Sequence, residues 1–444
     1  MRVRTDLLVA GGGIAGMAAA ARAVELGLEV VVAEKGDEVG GSAALSAGIV
    51  WTAPDIETAR RVAPEGDPAL LGALVEGFDA AVGRLRDAGV AVSERWTGQM
   101  GFGVAHHVDV GALFAHWRSA LAGAVLTRTA VRELVVDAEG AVRGAVLTST
   151  ATGDSVVADG PLRAHALGGP AGGDVEVAAR AILLATGGFQ GDPELVGRLI
   201  GWGAERMPVR SNPGSVGDGM RLGRAAGAAL SRSLSGFYGH LIPDRLDRFD
   251  VPDYLPLTQY HSNRSILVNV HGRRFTDESR GDEVSNQRVL REPGGRAVLI
   301  CDERVRREHA VGPPYPHGQV VDRFAAAAQA GGRLVHAQSI AELVASVSDW
   351  DVDGAALAQT LADPASLGEP PFHALAVAPC ITFPFGGLRV DADGRVLDPD
   401  GAWIRNLYAA GADAGGLQGP GYVGGLALGL VFGPRVAEAV HASR

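Results

Sequence analysis

The chain has 444 residues, 40 of them basic and 51 acidic, for a formal charge of −11 with histidine neutral. That length suits two or three domains with a large core, and the acidic balance argues against nucleic acid or an anionic membrane as the main partner. The two cysteines, Cys301 and Cys380, are too few for a disulfide framework and stand in no ligand spacing, so no metal site is expected.

In chain order, Asp6–Ala10 is an apolar run that predicts a buried strand. Gly11-Gly12-Gly13 follow, then an Ala-rich segment, Ile14–Leu26, that predicts a helix, and a β-branched run, Leu28–Ala33, that predicts a second strand. Together they form a βαβ unit of the kind that builds a parallel sheet. The apolar stretch from Leu7 to Ala21 ends at Arg22, short of the roughly 18 residues a membrane span needs. No signal-peptide cleavage site follows it, and the expected setting is cytoplasmic.

Residues 54–89 read as helical, and strand-like runs lie between Val125 and Leu147 with a turn at Ala138-Glu139-Gly140. Residues 151–175 are polar and Gly-rich and are expected to form an exposed loop or hairpin. Ala181–Ala185 is another buried strand, ending in Thr186-Gly187-Gly188. The stretch 236–350 is rich in Pro, Tyr and His and carries the charged run Arg273–Arg307, which marks an inserted domain. The expected division is therefore 1–235, 236–350 and 351–444. The last part holds Gly387–Val390, a turn at Asp393-Gly394, a strand at Leu407–Ala410, and a Gly-rich turn that opens a helix near Leu426. The predicted fold class is α/β, a Rossmann-like dinucleotide domain split in sequence by an α+β capping domain.

Four motifs carry chemistry. In Gly11-x-Gly13-x-x-Gly16, the first glycine permits the sharp turn, the second admits a pyrophosphate, and the third lets helix and strand pack closely. The helix starting at Ile14 and Ala15 turns its positive end toward phosphate. Glu34 stands about 20 residues further on, where an acid accepts the ribose hydroxyls of an adenosine. The second motif is Gly40-Gly41-Ser42 with Ser46-Ala47-Gly48, small residues placed to line a pyrophosphate. The third is Ala185-Thr186-Gly187 at a strand end. The fourth is the strand closing at Gly411-Ala412, with the turn Gly424-Gly425 opening a helix through Ala427 and Leu428.

Taken together, these motifs resemble the fumarate reductase/3-ketosteroid dehydrogenase family of FAD flavoproteins. The likeness extends through Glu34-Lys35, the Thr129-Ala130-Val131 segment, Gly217-Asp218-Gly219, Leu267-Val268-Asn269, Gly272-Arg273-Arg274-Phe275 and Gly386-Gly387. It implies an FAD domain split by a cap, with substrate between cap and flavin. Relatives that tether FAD covalently do so through a histidine in the loop after the second strand. Here that loop reads Gly41-Ser42-Ala43-Ala44-Leu45-Ser46, which implies non-covalent FAD.

The departures bear on the reaction. Where fumarate reductases close the C-terminal turn with a carboxylate-binding arginine, this chain has Tyr422, followed by Gly424. Where they carry a histidine before the Gly-Gly pair, it has Thr382. Their acid arginine is matched by Arg280, which either holds a substrate carboxylate or pairs with Glu278 or Asp282. Tyr422, and Phe237-Tyr238-Gly239-His240, look like the ketosteroid dehydrogenase branch, although Gly424 stands where its 4,5-desaturating members place a serine.

The resemblance thus implies desaturation of a ring ketone, a 3-ketosteroid or a smaller oxocyclohexane carboxylate, with Tyr422, His240, Arg280 and the Gly424 backbone in catalytic roles. Tyr422 also admits a reading as a core aromatic. His106-His107 read as a surface or loop pair. The rivals are an enoate or fumarate-type reductase and a non-catalytic flavin-binding protein. No haem CxxCH is present, so the electron acceptor is a quinone, oxygen or a separate partner. The oligomeric state is open, and a monomer fits.

Overall fold

The computed structural model describes residues 3–150, 174–316, 318–363 and 367–444, so most of the expected loop at 151–175 lies outside the described residues. The chain forms two compact units. The first comprises Met1–Leu199, Ser211–Gly236 and Phe383–Arg444, and the second Ile200–Arg210 and Phe237–Thr382.

The first unit is built on an eight-stranded sheet. Its centre is β1 (Val3–Ala10), which leads through a glycine turn into α1 (Ile14–Glu25) and then β2 (Val30–Ala33). Parallel to these run β3 (Val125–Leu126), β4 (Val175–Leu184) and β5 (Trp403–Ala409), in the spatial order β5-β4-β1-β2-β3. Leu7, Leu8, Val9 and Ala10 are at most 1% exposed, because a parallel strand is covered on both faces. That is why it reads as an unbroken apolar run rather than an alternating one.

Two helices, Ile56–Val62 and Pro68–Asp87, fill the segment expected to be helical. Asp55 caps the first by accepting the Thr58 N–H, and Asp67 caps the second through Ala69 and Leu70, ahead of a proline at the first helical position. The strands Thr129–Val136 and Val142–Ser149 form a hairpin closed by Asp137, whose carboxylate accepts the Glu139 and Ala141 N–H groups. No helix among the described residues is long and apolar enough to cross a membrane.

The last helix, α2 (Leu426–Ala442), packs backbone to backbone on α1. A Cβ at Gly433 would lie 2.4 Å from the Ala15 carbonyl oxygen, and one at Gly429 would lie 2.9 Å from the Ala15 nitrogen. In an exposed helix, glycine to alanine stabilises by about 1 kcal/mol. Here the sign should reverse: Gly433→Ala is expected to cost about 1–3 kcal/mol through overpacking, seen as a lower unfolding midpoint. A raised midpoint would show that the two helices separate easily.

The second unit is a five-stranded antiparallel sheet with helices against it. Its central strand, Phe372–Pro379, pairs along one edge with Ala297–Asp302. Along the other edge it pairs with Leu334–Ala337 and then Leu241–Pro243. The excursion therefore ends at Thr382 rather than 350, because this central strand belongs to it. Ile200–Arg210, expected in the first domain, also belongs here. Val209 bridges Ile381, and the Ile381 N–H donates to the Pro208 carbonyl.

Candidate functional site

In the first unit, β1 delivers Gly11–Gly13 to the start of α1, whose N-cap is Gly13 with no side-chain cap. The N–H groups of its first turn, at Ile14, Ala15 and Gly16, therefore present a positive helix end. Gly11 has φ 105°, and a Cβ there would sit 2.3 Å from the Ala185 carbonyl oxygen, so the end of β4 passes directly across it. A Cβ on Gly16 would lie 2.0 Å from the Gly11 oxygen, while one on Gly13 would meet nothing within 4 Å. The glycines thus enclose open space beside a helix N-terminus, a setting that suits a phosphate.

Glu34 follows β2 with its carboxylate accepting the Gly12 and Gly36 N–H groups, each at 2.7 Å. Each oxygen keeps a lone pair for a ligand hydroxyl. The Gly40 N–H donates to the Gly12 carbonyl at 2.9 Å, and Gly41, at φ 51°, lies against Gly13, so the first two glycine motifs form one surface. Ser42 Oγ accepts the Asn212 N–H, and Ser46 Oγ closes its own turn between Ala43 and Gly48. Gly48 is held at φ 70° under the Val108 carbonyl. These residues fit the adenosine and pyrophosphate of a dinucleotide.

Lys35 and Asp218, both expected at the cofactor, pair with each other at 2.6 Å, and Arg221 reaches the same carboxylate at 3.1 Å. Burial pushes the Asp218 pKa up, but these two cations outweigh it and hold the pKa below its ordinary value. Val131 is buried on the strand whose first residue, Thr129, donates to the Glu34 carbonyl.

Sequence reading missed Asp413. Its buried carboxylate accepts from the Thr186 backbone and hydroxyl and from the Gly188 N–H, while Thr186 Oγ1 accepts the Gly219 N–H at 2.8 Å. One carboxylate therefore ties the ends of two strands and a helix start together. Burial raises its pKa against these hydrogen bonds. The only signal was an acid among small residues in Ala409-Ala410-Gly411-Ala412-Asp413.

Tyr422 is 5% exposed and packs edge-on against Trp51, ring centroids 5.1 Å apart, and Phe383, 5.9 Å. Its hydroxyl lies 2.9 Å from where a Cβ on Gly425 would stand. Gly424, at φ 109°, could carry a Cβ only 2.0 Å from the Trp51 carbonyl oxygen. A second missed residue, Gln418, clamps this turn by accepting the Val423 N–H at 2.9 Å and donating to the Gly424 carbonyl at 3.4 Å. Gly425 then starts α2 without a side-chain cap, with Ala427 and Leu428 buried behind it. Gly411, at φ 68°, sets its own turn against Ala15 of α1.

The second unit holds a separate polar cluster. His240 Nδ1 is hydrogen-bonded to the Asp282 carboxylate, and Tyr238 donates its hydroxyl to Nε2 at 2.8 Å. His240 and Asp282 are 1% and 4% exposed. Burial, then the Arg210 charge, holds the imidazole neutral, so one ring nitrogen donates and the other accepts; with Asp282 ionised, Nδ1 is the donor to it and Nε2 the acceptor. Burial pushes the Asp282 carboxyl up to about 7 against the pull of Glu283 and Arg210. Tyr260 stands edge-on to His240 at 5.0 Å, with Arg210 on its hydroxyl at 3.2 Å.

Two expectations need correcting. Arg280 pairs with neither carboxylate offered to it: Glu278 is taken by Arg274 and Asp282 by His240, and Arg280 stands exposed at the end of a short turn. His106 is not at the surface. It is 3% exposed on the strand Gly103–His107, bonded to the Ser93 carbonyl, because that strand is the middle one of a three-stranded sheet.

Comparison with known proteins follows the same lines. The family model described as FAD binding domain matches residues 6–428. The fumarate reductase (cytochrome) of Shewanella frigidimarina is 27% identical over 478 residues, covering 98% of this chain and 76% of that protein. The 3-oxosteroid 1-dehydrogenase of Mycobacterium tuberculosis is 24% identical over 304 residues, 58% of this chain and 52% of that one. In fold, the chain is similar to the 3-ketosteroid-delta4-(5alpha)-dehydrogenase of Rhodococcus jostii, solved with 4-androstene-3,17-dione. The TM-score is 0.73 at 21% identity, over 99% of this chain and 97% of that one.

Proposed function

This chain belongs to the FAD binding domain family and is an FAD-dependent oxidoreductase, and from that premise we propose that it desaturates a ring ketone alpha,beta to its carbonyl. FAD is held non-covalently by the Gly11–Gly16 cradle, Glu34 and the Gly40–Ser42 turn, and when bound it supplies the hydride acceptor.

The observation that carries this reading is the Tyr238–His240–Asp282 chain. Desaturation removes a proton from the carbon alpha to the ketone, and a general base works best with a pKa near the working pH. Tyr238 passes its hydroxyl proton to neutral His240 as its oxygen receives the substrate proton. Asp282, ionised above about pH 7, stabilises the imidazolium that results. Separately, Tyr422 and the N–H groups of the Gly424 turn, in the unit that holds FAD, are assigned as donors to an enolate oxygen. A tyrosine at this position supports the dehydrogenase reading over the reductase rival, whose carboxylate-binding arginine it replaces. A quinone, oxygen or a separate protein then takes the electrons.

The test is anaerobic. Oxidised holoenzyme is mixed with saturated 3-ketosteroids and with 4-oxocyclohexanecarboxylate, and the flavin band near roughly 450 nm is followed. At least one saturated ketone is expected to bleach it. If none does, and fumarate or another enoate re-oxidises chemically reduced enzyme, the reductase reading replaces this one.

A further inference from the structure

We propose that Arg210, together with the Tyr260 and Thr382 hydroxyls, holds the carboxylate of an acidic ring substrate, and that Arg280 does not. This rests on the second unit's polar cluster being where substrate binds. The Arg210 guanidinium is engaged only by neutral groups among the described residues. Nε donates to the Tyr254 carbonyl and Thr258 Oγ1, and Nη2 to the Tyr254 carbonyl and the Tyr260 hydroxyl, all at 3.2 Å. Its flank lies over the Tyr254 ring at 5.5 Å. The acid that acts on it through space, Asp282, has its carboxyl engaged by His240. A part-buried cation without a bonded counter-charge is costly to keep, and the two N–H groups of Nη1, left over by those bonds, can donate to a carboxylate.

A second, independent observation converges on the same place. The Thr382 hydroxyl is buried with no hydrogen-bond partner among the described residues. The Arg210 N–H donates to the Ile381 carbonyl at 2.7 Å, and the Thr382 N–H donates to the Tyr238 carbonyl at 2.7 Å. Segments 208–210, 380–382 and 238–240 thus lie side by side, in that order. They bring an unspent cation, an unspent hydroxyl and the Tyr238–His240 chain onto three neighbouring backbones. Arg280 offers no such setting, because its side chain is exposed.

The experiment reads binding without turnover. Cyclohexanecarboxylate and its neutral isostere cyclohexanecarboxamide are titrated into oxidised holoenzyme by calorimetry. The carboxylate is expected to bind more tightly than the amide. Arg210→Gln should weaken the carboxylate by at least about 30-fold, the scale for losing one partner of a buried charge pair, and leave the amide unchanged. If that variant loses FAD or fails to fold, Arg210→Lys decides. It should lose several-fold for the carboxylate alone, because an ammonium keeps the charge but not the directed N–H groups of Nη1. Equal affinity for the two probes in wild type, an unchanged carboxylate affinity in the Arg210 variants, or loss of the preference in Arg280→Gln would each overturn the assignment. Because no electrons move, a failed ketone panel and a failed binding result are read separately.

Discussion

Tyr422→Phe is expected to lower the rate constant for flavin reduction by a saturated ring ketone about 10²- to 10³-fold, the usual cost of removing one preorganised donor from a developing oxyanion. The substitution removes one oxygen and keeps the ring, so the edge-on contacts to Trp51 and Phe383 remain. FAD content and the unfolding midpoint should therefore stay close to wild type. The loss should appear in the reduction rate at saturating ketone rather than in ketone affinity, because the donor is used when charge builds and not before. A variant that reduces at the wild-type rate would return Tyr422 to the core-aromatic reading and leave the Gly424 turn as the oxyanion site.

Asp282→Asn should slow the same step by about 10²-fold or more and change its pH dependence. Burial raises the Asp282 pKa from 3.8 to about 7, and the groups facing it are His240, Glu283, Arg210 and Cys380. Proton removal needs the ionised carboxylate behind the imidazole, so the wild-type rate should rise through about pH 7 and plateau above it. The asparagine variant, which carries no charge to gain, should be slow and flat across that range.

Stability should move the opposite way with pH. A carboxyl whose folded pKa lies above its unfolded value keeps its proton longer in the folded state. Between its unfolded value of 3.8 and about 7, the folded protein holds more protons, so stability falls as pH rises through that window. Asp282→Asn should flatten this slope, with a remainder from Glu283, which burial and the Asp282 charge push up in the same direction. Urea unfolding on either side of the window, beside a pH–rate profile, reads both effects. An unchanged rate profile in the variant would remove Asp282 from the proton path.

Much of the cofactor region could be read from the chain because it is local. The strand, glycine turn, helix, second strand and Glu34 all fall within one βαβ unit, and side-chain size and periodicity report such a unit directly. Tyr422 was singled out by the resemblance, in the place where fumarate reductases carry an arginine, and not by a local pattern. It sits in a glycine-rich turn just ahead of a helix, where few side chains have room. The segment 54–89 read as helical, while its division into two helices capped by Asp55 and Asp67 came from the structure.

The partners were not legible. Asp413 reaches Thr186 across 227 positions, and His240 reaches Asp282 across 42. Gln418 acts on a turn only five and six residues away, yet nothing in its neighbourhood marks it. Arg210 meets Ile381 through a bridge too short to leave a periodic trace. Sequence by itself determined the α/β class and the strand, glycine turn, helix and second strand that open the first unit, because those follow from spacing and steric room along one stretch of chain. Only the tertiary structure decided which acid pairs with His240, that Glu278 and Asp282 are engaged by residues other than Arg280, and that Arg210 lies beside Thr382. Those facts depend on strand register and on which segments are brought side by side, and register is set by the packing of the whole sheet.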